Sequence, residues 1–72
     1  MSPQLPVVSG DQTVRAPKND GFDVVGIRGS HRKLRKSGRT VIVPLHKELK
    51  QGTLASILKQ ARMSAERFRE LL

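Results

Sequence analysis

The two histidines of this chain are its clearest candidates for acid–base chemistry. His31 and His46 are the only imidazoles among 72 residues, and both lie in the acid-free segment RGSHRKLRKSGRTVIVPLH, residues 28–46. A neutral imidazole can take a proton from a hydroxyl group, and nearby cations can stabilise the charge that then builds on a phosphate. RNA carries its own nucleophile, the 2′-hydroxyl, beside each phosphate. The segment therefore suggests chemistry on RNA, with a surface role for His31 and a structural role for His46 as the alternatives.

The sequence lacks the residues that most other catalytic mechanisms need. It contains no cysteine, which removes thiol nucleophiles, disulfides and thiolate metal sites. It has no H-x-x-x-H motif, no acids paired at a useful spacing and no glycine-rich phosphate loop. No clear third ligand accompanies the two histidines; Asp23 and Glu48 are the only nominal candidates. We therefore expect neither a metal site nor a small-molecule cofactor.

The positive charge is concentrated in the same part of the chain. The net charge is +8, and residues 28–50 hold eight of the fourteen basic residues with a single acid. A field of this sign attracts polyanions, of which nucleic acid is the commonest. The chain has no Tyr or Trp, so a surface of stacking aromatic rings is not expected. Binding would rely on phosphates and shape.

Length and hydropathy indicate one small domain outside the membrane. The first eight residues contain two prolines and no periodicity, so we expect residues 1–8 to form a flexible tail and residues 9–72 a single domain. The apolar runs are far shorter than the ~20 residues that cross a bilayer. No secretory signal pattern is visible. A cytoplasmic protein without a membrane partner is the resulting expectation.

A short helix is predicted to precede the basic segment. Ser9 opens an S-x-x-Q capping box, which predicts a helix from about Gly10, and Gly21 is a natural terminator. Pro17 removes a backbone hydrogen bond and biases Ala16 away from helical angles. We expect the helix to be short, kinked or frayed near Ala16.

The basic segment itself predicts strands. Residues 22–27 form a first strand, with Phe22 and Val24 on one side and Val25 and Ile27 on the other. Two further strands follow, joined by Ser37-Gly38, a pair typical of two-residue hairpins. Pro44 places the last strand at a sheet edge.

The hairpin register decides which side chains share a face. If Lys36 pairs with Arg39, one face carries the core residues Leu34, Val41 and Val43, and the opposite, solvent face carries His31, Lys33 and Arg35. Arg32 then has core-side parity. His46 joins the face of His31 only if the alternation continues beyond the last strand.

Helices are predicted again after the sheet. A helical apolar stripe is formed by Leu54, Ile57, Leu58 and Ala61. Thr53 or the residue before it is the expected cap, and Ser64 is expected to cap a short final helix with Phe68 on its apolar face. The element order predicts an α+β domain with helices on one sheet face and the other face open.

Several motifs agree with one family in both order and spacing. They are Gly21-Phe22, Gly29-Ser30-His31, VPLH at 43–46, LKQGTL at 49–54, ILKQA at 57–61, and Phe68 with Leu71-Leu72. With these motifs the chain resembles the HicA family of mRNA interferase toxins. The resemblance implies a fold like the double-stranded-RNA-binding domain, of helix–three-stranded antiparallel sheet–helix (α-β-β-β-α) order.

The resemblance also implies a function. It implies the toxin of a type II toxin–antitoxin system, a metal-independent endoribonuclease that cleaves mRNA with His31 as its single catalytic histidine and that is held inactive by a HicB-type antitoxin. His46 remains a secondary candidate. The residues expected to bind RNA are Arg28, Ser30, Arg32, Lys33, Arg35, Lys36 and Arg39.

Two positions depart from the family pattern. Pro17 stands where an apolar residue, commonly Leu, is usual, and we expect it to cost a core contact as well as a hydrogen bond. Gly26-Ile27 lies where polar residues are more frequent, and an exposed Ile27 would suit a docking role, a core position being the alternative. A non-catalytic module that binds RNA in the manner of a double-stranded-RNA-binding domain is the alternative function.

Overall fold

The computed structural model describes residues 5–72. In this part of the chain, one helix precedes three strands and two helices follow them. The elements are α1 Gly10–Asn19, β1 Asp23–Arg28, β2 His31–Lys36, β3 Arg39–Pro44, α2 Gln51–Ala61 and α3 Ala65–Leu71. The strands form one antiparallel sheet in the order β1-β2-β3. The predicted α+β class and element order are confirmed.

The start and the end of α1 follow the predicted capping residues. The Ser9 hydroxyl accepts the backbone N–H of Gln12 at 3.1 Å, and the Gln12 side chain accepts the N–H of Ser9 at 2.9 Å. These two bonds satisfy donors that the first helical turn would otherwise leave without partners. Gly21, with φ of +97°, ends the helical path.

Pro17 does not end α1 where the sequence suggested. The helix continues to Asn19, and the Pro17 ring is fully buried. Its carbonyl oxygen accepts the N–H groups of Asp20 and Phe22, both at 2.9 Å. The expected fraying at Ala16 and the expected loss of a core contact are therefore wrong. Proline removes one donor from the last turns of α1, but its ring fills space in the core and its carbonyl helps to lead the chain into β1.

The β2–β3 hairpin has the predicted register. Lys36 lies opposite Arg39, and the pairing runs without interruption to His31 opposite Pro44. Ser37 and Gly38 both have positive φ, 49° and 79°, as a two-residue turn of the favoured hairpin type requires.

The hairpin register fixes the two faces of the sheet. Leu34, Val41 and Val43 are completely buried on the helix side. His31, Lys33 and Arg35 are exposed on the opposite side. This confirms the predicted division of β2 and β3 into a core face and a solvent face.

The first strand contains a bulge that its sequence pattern did not predict. Val24 lies opposite Leu34, and the next paired residue is Gly26, opposite Lys33, so Val25 is an extra residue. An extra residue on one strand inverts the alternation that follows it. Ile27 consequently lies opposite Arg32 and has the parity of Val24. The prediction that Ile27 shares the side of Val25 is wrong.

The helices close the core on one side of the sheet. α2 packs on β3, while α1 packs on β2, β3 and α3. Five of the six elements contribute buried residues to the core, and Phe22 lies in it just before β1. The core comprises Val8, Ala16, Phe22, Leu34, Val41, Val43, Leu49, Leu54, Ile57, Leu58, Ala61, Met63 and Phe68.

Of the two predicted caps on the later helices, one is confirmed. The Ser64 hydroxyl accepts the N–H of Arg67 at 3.1 Å at the start of α3. The expected cap at Thr53 is wrong, because α2 begins at Gln51 and its cap residue, Lys50, makes no side-chain capping bond. The Leu54 N–H already bonds to the Lys50 carbonyl at 3.0 Å, which places Thr53 inside the first turn.

The chain before α1 is tied to the segment after β3. Val8 is buried, and its carbonyl accepts the Leu49 N–H at 2.8 Å. The predicted tail, residues 1–8, falls in part on residues 1–4, which lie outside the described residues, and the single domain over 9–72 stays a prediction. The described residues include no helix long and apolar enough to cross a membrane.

Candidate functional site

The sheet face opposite the helices carries the candidate site. We call it the open face. The register assigns to it Asp23, Gly26, Arg28, His31, Lys33, Arg35, Thr40, Ile42 and Pro44. These positions come from all three strands, so a ligand lying across the sheet would meet side chains from each of them.

A shallow depression on the open face brings the predicted catalytic histidine next to cations. It measures about 520 Å³ and is lined by the open-face residues Gly26, Arg28, His31, Lys33 and Ile42, together with Ile27, which has core-side parity but is 69% exposed. The His31 side chain is exposed at the first residue of β2. A ligand in the depression can therefore reach the imidazole, and two of the lining side chains carry positive charge.

The bulge in β1 determines which cation stands beside the histidine. Arg28 is the direct cross-strand partner of His31. If every residue from Asp23 onward paired in turn, Ile27 would occupy that place instead. The extra residue at Val25 therefore brings a guanidinium to the imidazole, and bulges beside functional sites commonly re-aim side chains in this way.

The basic residues of the open face are free of internal ion pairs. In residues 5–72 no acid lies within salt-bridge distance of Arg28, Lys33 or Arg35. Asp23 is the cross-strand neighbour of Arg35, without an ion pair between them. The three charges are consequently available to an external anion.

Other residues predicted to bind RNA have a different environment. Lys36 and Arg39 face each other with core-side parity and are partly buried. The Lys36 Nζ donates to the Asp20 carbonyl, lies 3.5 Å from the Asp20 carboxylate and stands 5.8 Å from the centre of the Phe22 ring. Lys36 therefore helps to hold the junction between α1 and β1.

The β1–β2 turn engages two more of the predicted residues. The Arg32 guanidinium donates to the carbonyl oxygens of Gly29 at 3.2 Å and His31 at 3.4 Å. The Ser30 carbonyl accepts the Leu45 N–H at 2.6 Å, and the residue is exposed. Both contacts stabilise the turn from which His31 enters β2.

His46 is apart from the depression that His31 lines. It lies two residues beyond the end of β3, and its side chain is exposed. Its carbonyl oxygen accepts the Gly10 N–H at 2.8 Å. The backbone of His46 thus fixes the start of α1, a contact that does not involve the imidazole. Within residues 5–72, no three His, Cys, Asp or Glu side chains group together as metal ligands would.

Sequence reasoning missed the apolar part of the site. Gly26 and Ile42 line the depression with His31, yet neither carries a functional group. The one available signal was Gly26, since an isolated glycine in a strand suggests a bulge or a close approach to the backbone.

The fold and the open face define a class: a small α+β domain in which helices cover one face of a sheet and leave the other, basic face exposed. A family model then makes the assignment specific. The model described as the HicA toxin of bacterial toxin–antitoxin systems matches residues 10–63, which span α1, the whole sheet and α2. The chain belongs to the HicA toxin family. No curated protein matches it.

Membership of the HicA toxin family implies a general role. HicA proteins are mRNA-cleaving toxins that act with an antitoxin partner. The matched range includes the Gly29-Ser30-His31 motif and the complete lining of the depression.

Proposed function

We propose that this protein is an endoribonuclease that cleaves mRNA without a bound metal and uses His31 as its catalytic residue. The observation that supports this best is the position of His31: exposed, in a depression of the open face, between Arg28 on β1 and Lys33 on β2. The Gly29-Ser30-His31 motif agrees, because the resemblance to the HicA family assigns catalysis to this histidine.

The reaction uses the nucleophile that RNA itself carries. The His31 imidazole, acting as a base, takes the proton of a 2′-hydroxyl, and O2′ attacks the adjacent phosphorus. The bond from phosphorus to O5′ breaks, and O5′ takes up a proton from water as it leaves. The products are a 2′,3′-cyclic phosphate and a 5′-hydroxyl. His31 in the acid role, protonating O5′, is the other assignment that the single histidine allows.

Cations of the open face would stabilise the charge that develops on the phosphate. Arg28 is opposite His31, and Lys33 is the next open-face residue along β2. Preorganised donors of this kind commonly contribute the largest share of transition-state stabilisation. Arg35 lies further along β2 and would hold a neighbouring phosphate of the same RNA strand.

His46 is the second candidate for a proton-transfer role. Its exposed side chain follows the end of β3, and an RNA strand that leaves the open face at that end would pass near it. A catalytic His46 requires that its removal slow cleavage without loosening α1. His46→Ala retains the carbonyl that accepts the Gly10 N–H, so this variant isolates the imidazole.

The proposed protein partner is a HicB-type antitoxin that covers the open face. A partner that inhibits in this way must present acids to Lys33 and Arg35, since these charges have no internal ion pairs in the described chain. Charge reversal, Lys33→Glu with Arg35→Glu, should weaken the complex by slowing association and speeding dissociation. Unchanged affinity in a pull-down or calorimetric titration would place docking on the helices instead.

The deciding test is incubation of the purified protein with an mRNA transcript in the presence of EDTA. The proposal requires cleavage under chelation and products that end in a 2′,3′-cyclic phosphate. A mobility shift with fully intact RNA would instead identify a non-catalytic module that binds RNA like a double-stranded-RNA-binding domain. Cleavage that stops when EDTA is added would refute the metal-independent mechanism.

A further inference from the structure

Gly26 occupies a strand position at which the backbone does not need glycine. Its φ is not in the left-handed region, unlike that of Gly21 or Gly29. A Cβ added to Gly26 would lie 3.4 Å from the Cβ and 3.8 Å from the Cδ of Lys33, which is ordinary van der Waals contact. Glycine inside a strand is destabilising, and it often marks a site where a ligand comes close to the backbone. The Lys33 stem therefore lies against Gly26, and a side chain at this position would narrow the depression that both residues line.

Ile42 bounds the same depression on the other side of Lys33. It is the β3 partner of Lys33 and is 51% exposed on the open face. Cross-strand geometry makes it a diagonal neighbour of His31, about 7–8 Å away between Cα atoms. An exposed isoleucine alone is unremarkable, but this one shares a depression with the histidine and with two cations.

The depression therefore offers two chemistries side by side. Arg28 and Lys33 suit a phosphate, while the Lys33 stem against Gly26 and the side chain of Ile42 suit a flat apolar group. None of the lining residues, all within residues 5–72, is an acid. A nucleotide has the matching composition: an anionic phosphate joined through ribose to a planar base. Since the chain has no Tyr or Trp, an aliphatic wall would take the place of the aromatic ring that commonly receives a base.

We propose that the hollow at Gly26, walled by Ile42, is a nucleobase subsite that holds the base next to the scissile phosphate and so positions that phosphate against His31. This inference rests on the proposed RNA cleavage. A base in the hollow must leave its helical stack, so the subsite selects unpaired RNA over duplex RNA. Gly26 acts as a specificity residue because it has no side chain, and Ile42 forms the apolar wall of the subsite.

Filling the hollow provides the first test. Gly26→Val adds a side chain that strands favour, so the variant should fold with an equal or higher melting temperature. Its matched control is Gly52→Val on α2, where an added Cβ meets no heavy atom within 4 Å. Gly26→Val should raise KM for an unpaired RNA by about five- to tenfold, the lower part of the range for a base–side-chain contact. Gly52→Val should leave KM unchanged.

An abasic substrate tests whether the base itself is the occupant. Once the cut is mapped in wild-type protein, two oligonucleotides are made that lack the base on one side of the cut or on the other. One of them should bind about five- to tenfold more weakly than the intact RNA to the protein that keeps Gly26. Gly26→Val should bind that abasic RNA and the intact RNA equally, because its hollow is already filled. Binding is measured by fluorescence anisotropy in a His31→Ala background, so that no RNA is cut.

The outcomes separate this inference from the proposed catalysis. RNA cleavage that depends on His31, combined with an unchanged KM in Gly26→Val and no abasic penalty, would overturn the subsite and leave the nuclease assignment standing. A wild-type protein that cuts no RNA would refute the nuclease assignment itself, and with it the subsite. If Gly26→Val leaves RNA binding intact but weakens antitoxin binding, the hollow receives a side chain of the antitoxin and the nucleobase proposal is wrong.

Discussion

Lys33 and Lys36, three residues apart on β2, should have different roles: Lys36 should stabilise the fold, and Lys33 should bind RNA. Lys36→Ala removes a charged hydrogen bond to the Asp20 carbonyl, an ion pair at 3.5 Å and a cation–π contact at 5.8 Å. The ion pair is partly exposed, with side-chain accessibilities of 35% and 25%, so it contributes at most ~1 kcal/mol. The charged hydrogen bond adds ~1.5 kcal/mol at the lower end of its range, and the cation–π contact ~0.5 kcal/mol.

These contributions overlap because one ammonium group makes all three contacts. We therefore expect Lys36→Ala to lower the free energy of unfolding by about 2 kcal/mol, which corresponds to a fall in Tm of roughly 8–16 °C for a domain of this size. Lys33→Ala removes an exposed side chain without an ion pair in the described chain, so its stability should change by no more than ~0.5 kcal/mol.

For RNA binding, Lys33→Ala should have the larger effect and Lys36→Ala the smaller. If Lys33 contacts a phosphate, Lys33→Ala reduces the slope of log K against log salt by about 0.7 for single-stranded RNA. Lys36→Ala should leave that slope unchanged. Thermal unfolding followed by circular dichroism gives the stabilities. Anisotropy titrations at several salt concentrations, in a His31→Ala background and well below the lower Tm, give the slopes.

Equal changes in Tm and in RNA binding for the two variants would refute this division of roles. A Lys36→Ala protein that keeps its Tm and loses RNA affinity would show that the junction with Asp20 contributes nothing and that Lys36 binds phosphate. A Lys33→Ala protein with an unchanged salt slope would remove the open face from the RNA-binding surface.

Further expectations concern the backbone that supports the open face. Gly10→Ala should lower the free energy of unfolding by about 1–3 kcal/mol or more, because the new Cβ would lie 2.2 Å from the carbonyl oxygen of the last residue of β3. Gly52→Ala, in an open position on α2, should raise the free energy of unfolding by about 1 kcal/mol. Denaturant unfolding measures both changes. Deletion of Val25 removes only the unpaired bulge residue, so the register, the place of Arg28 and RNA cleavage should persist. Deletion of Ile27 leaves Val25, Gly26 and Arg28 to pair with Lys33, Arg32 and His31, so Arg28 keeps its place while Val25 takes the position of Gly26 in the depression. A gel-based assay should therefore show less RNA cleavage by this deletion than by the Val25 deletion. Loss of cleavage in the Val25 deletion, in a protein that still unfolds cooperatively, would contradict the assigned bulge.

The sequence was sufficient to predict the β2–β3 hairpin, because two local signals agreed. Ser37-Gly38 set the turn. If the apolar residues Leu34, Val41 and Val43 all face the core, only one register is possible. Alternation then placed His31 on the solvent face without further information.

The first strand was harder to predict, because a bulge depends on contacts across strands. Phe22, Val24, Val25 and Ile27 are all apolar, so they give no alternation from which an extra residue would stand out. The pairing with β2 decides that Val25 is the residue left over. That decision also puts Arg28 opposite His31, a feature of the site that single-strand reasoning does not supply.

Pro17 and Lys36 show how tertiary contacts change the meaning of a residue. Local propensity predicts a broken helix at Pro17, but burial of its ring in the core outweighs that preference. Charge alone predicts that Lys36 binds RNA, which stays a prediction. The packing of α1 adds a structural role, because it brings Asp20, sixteen residues earlier, within reach of Lys36.

The most direct test of the central claim is the single-turnover rate of RNA cleavage by His31→Ala in EDTA, compared with wild type and with His46→Ala. His31 is exposed, and in residues 5–72 its side chain makes no hydrogen bond or ion pair, so the variant should keep the wild-type Tm. Loss of a general acid–base group should lower the rate by about 10²- to 10⁴-fold, with RNA binding retained. Cleavage by a folded His31→Ala protein at the wild-type rate would contradict the assignment.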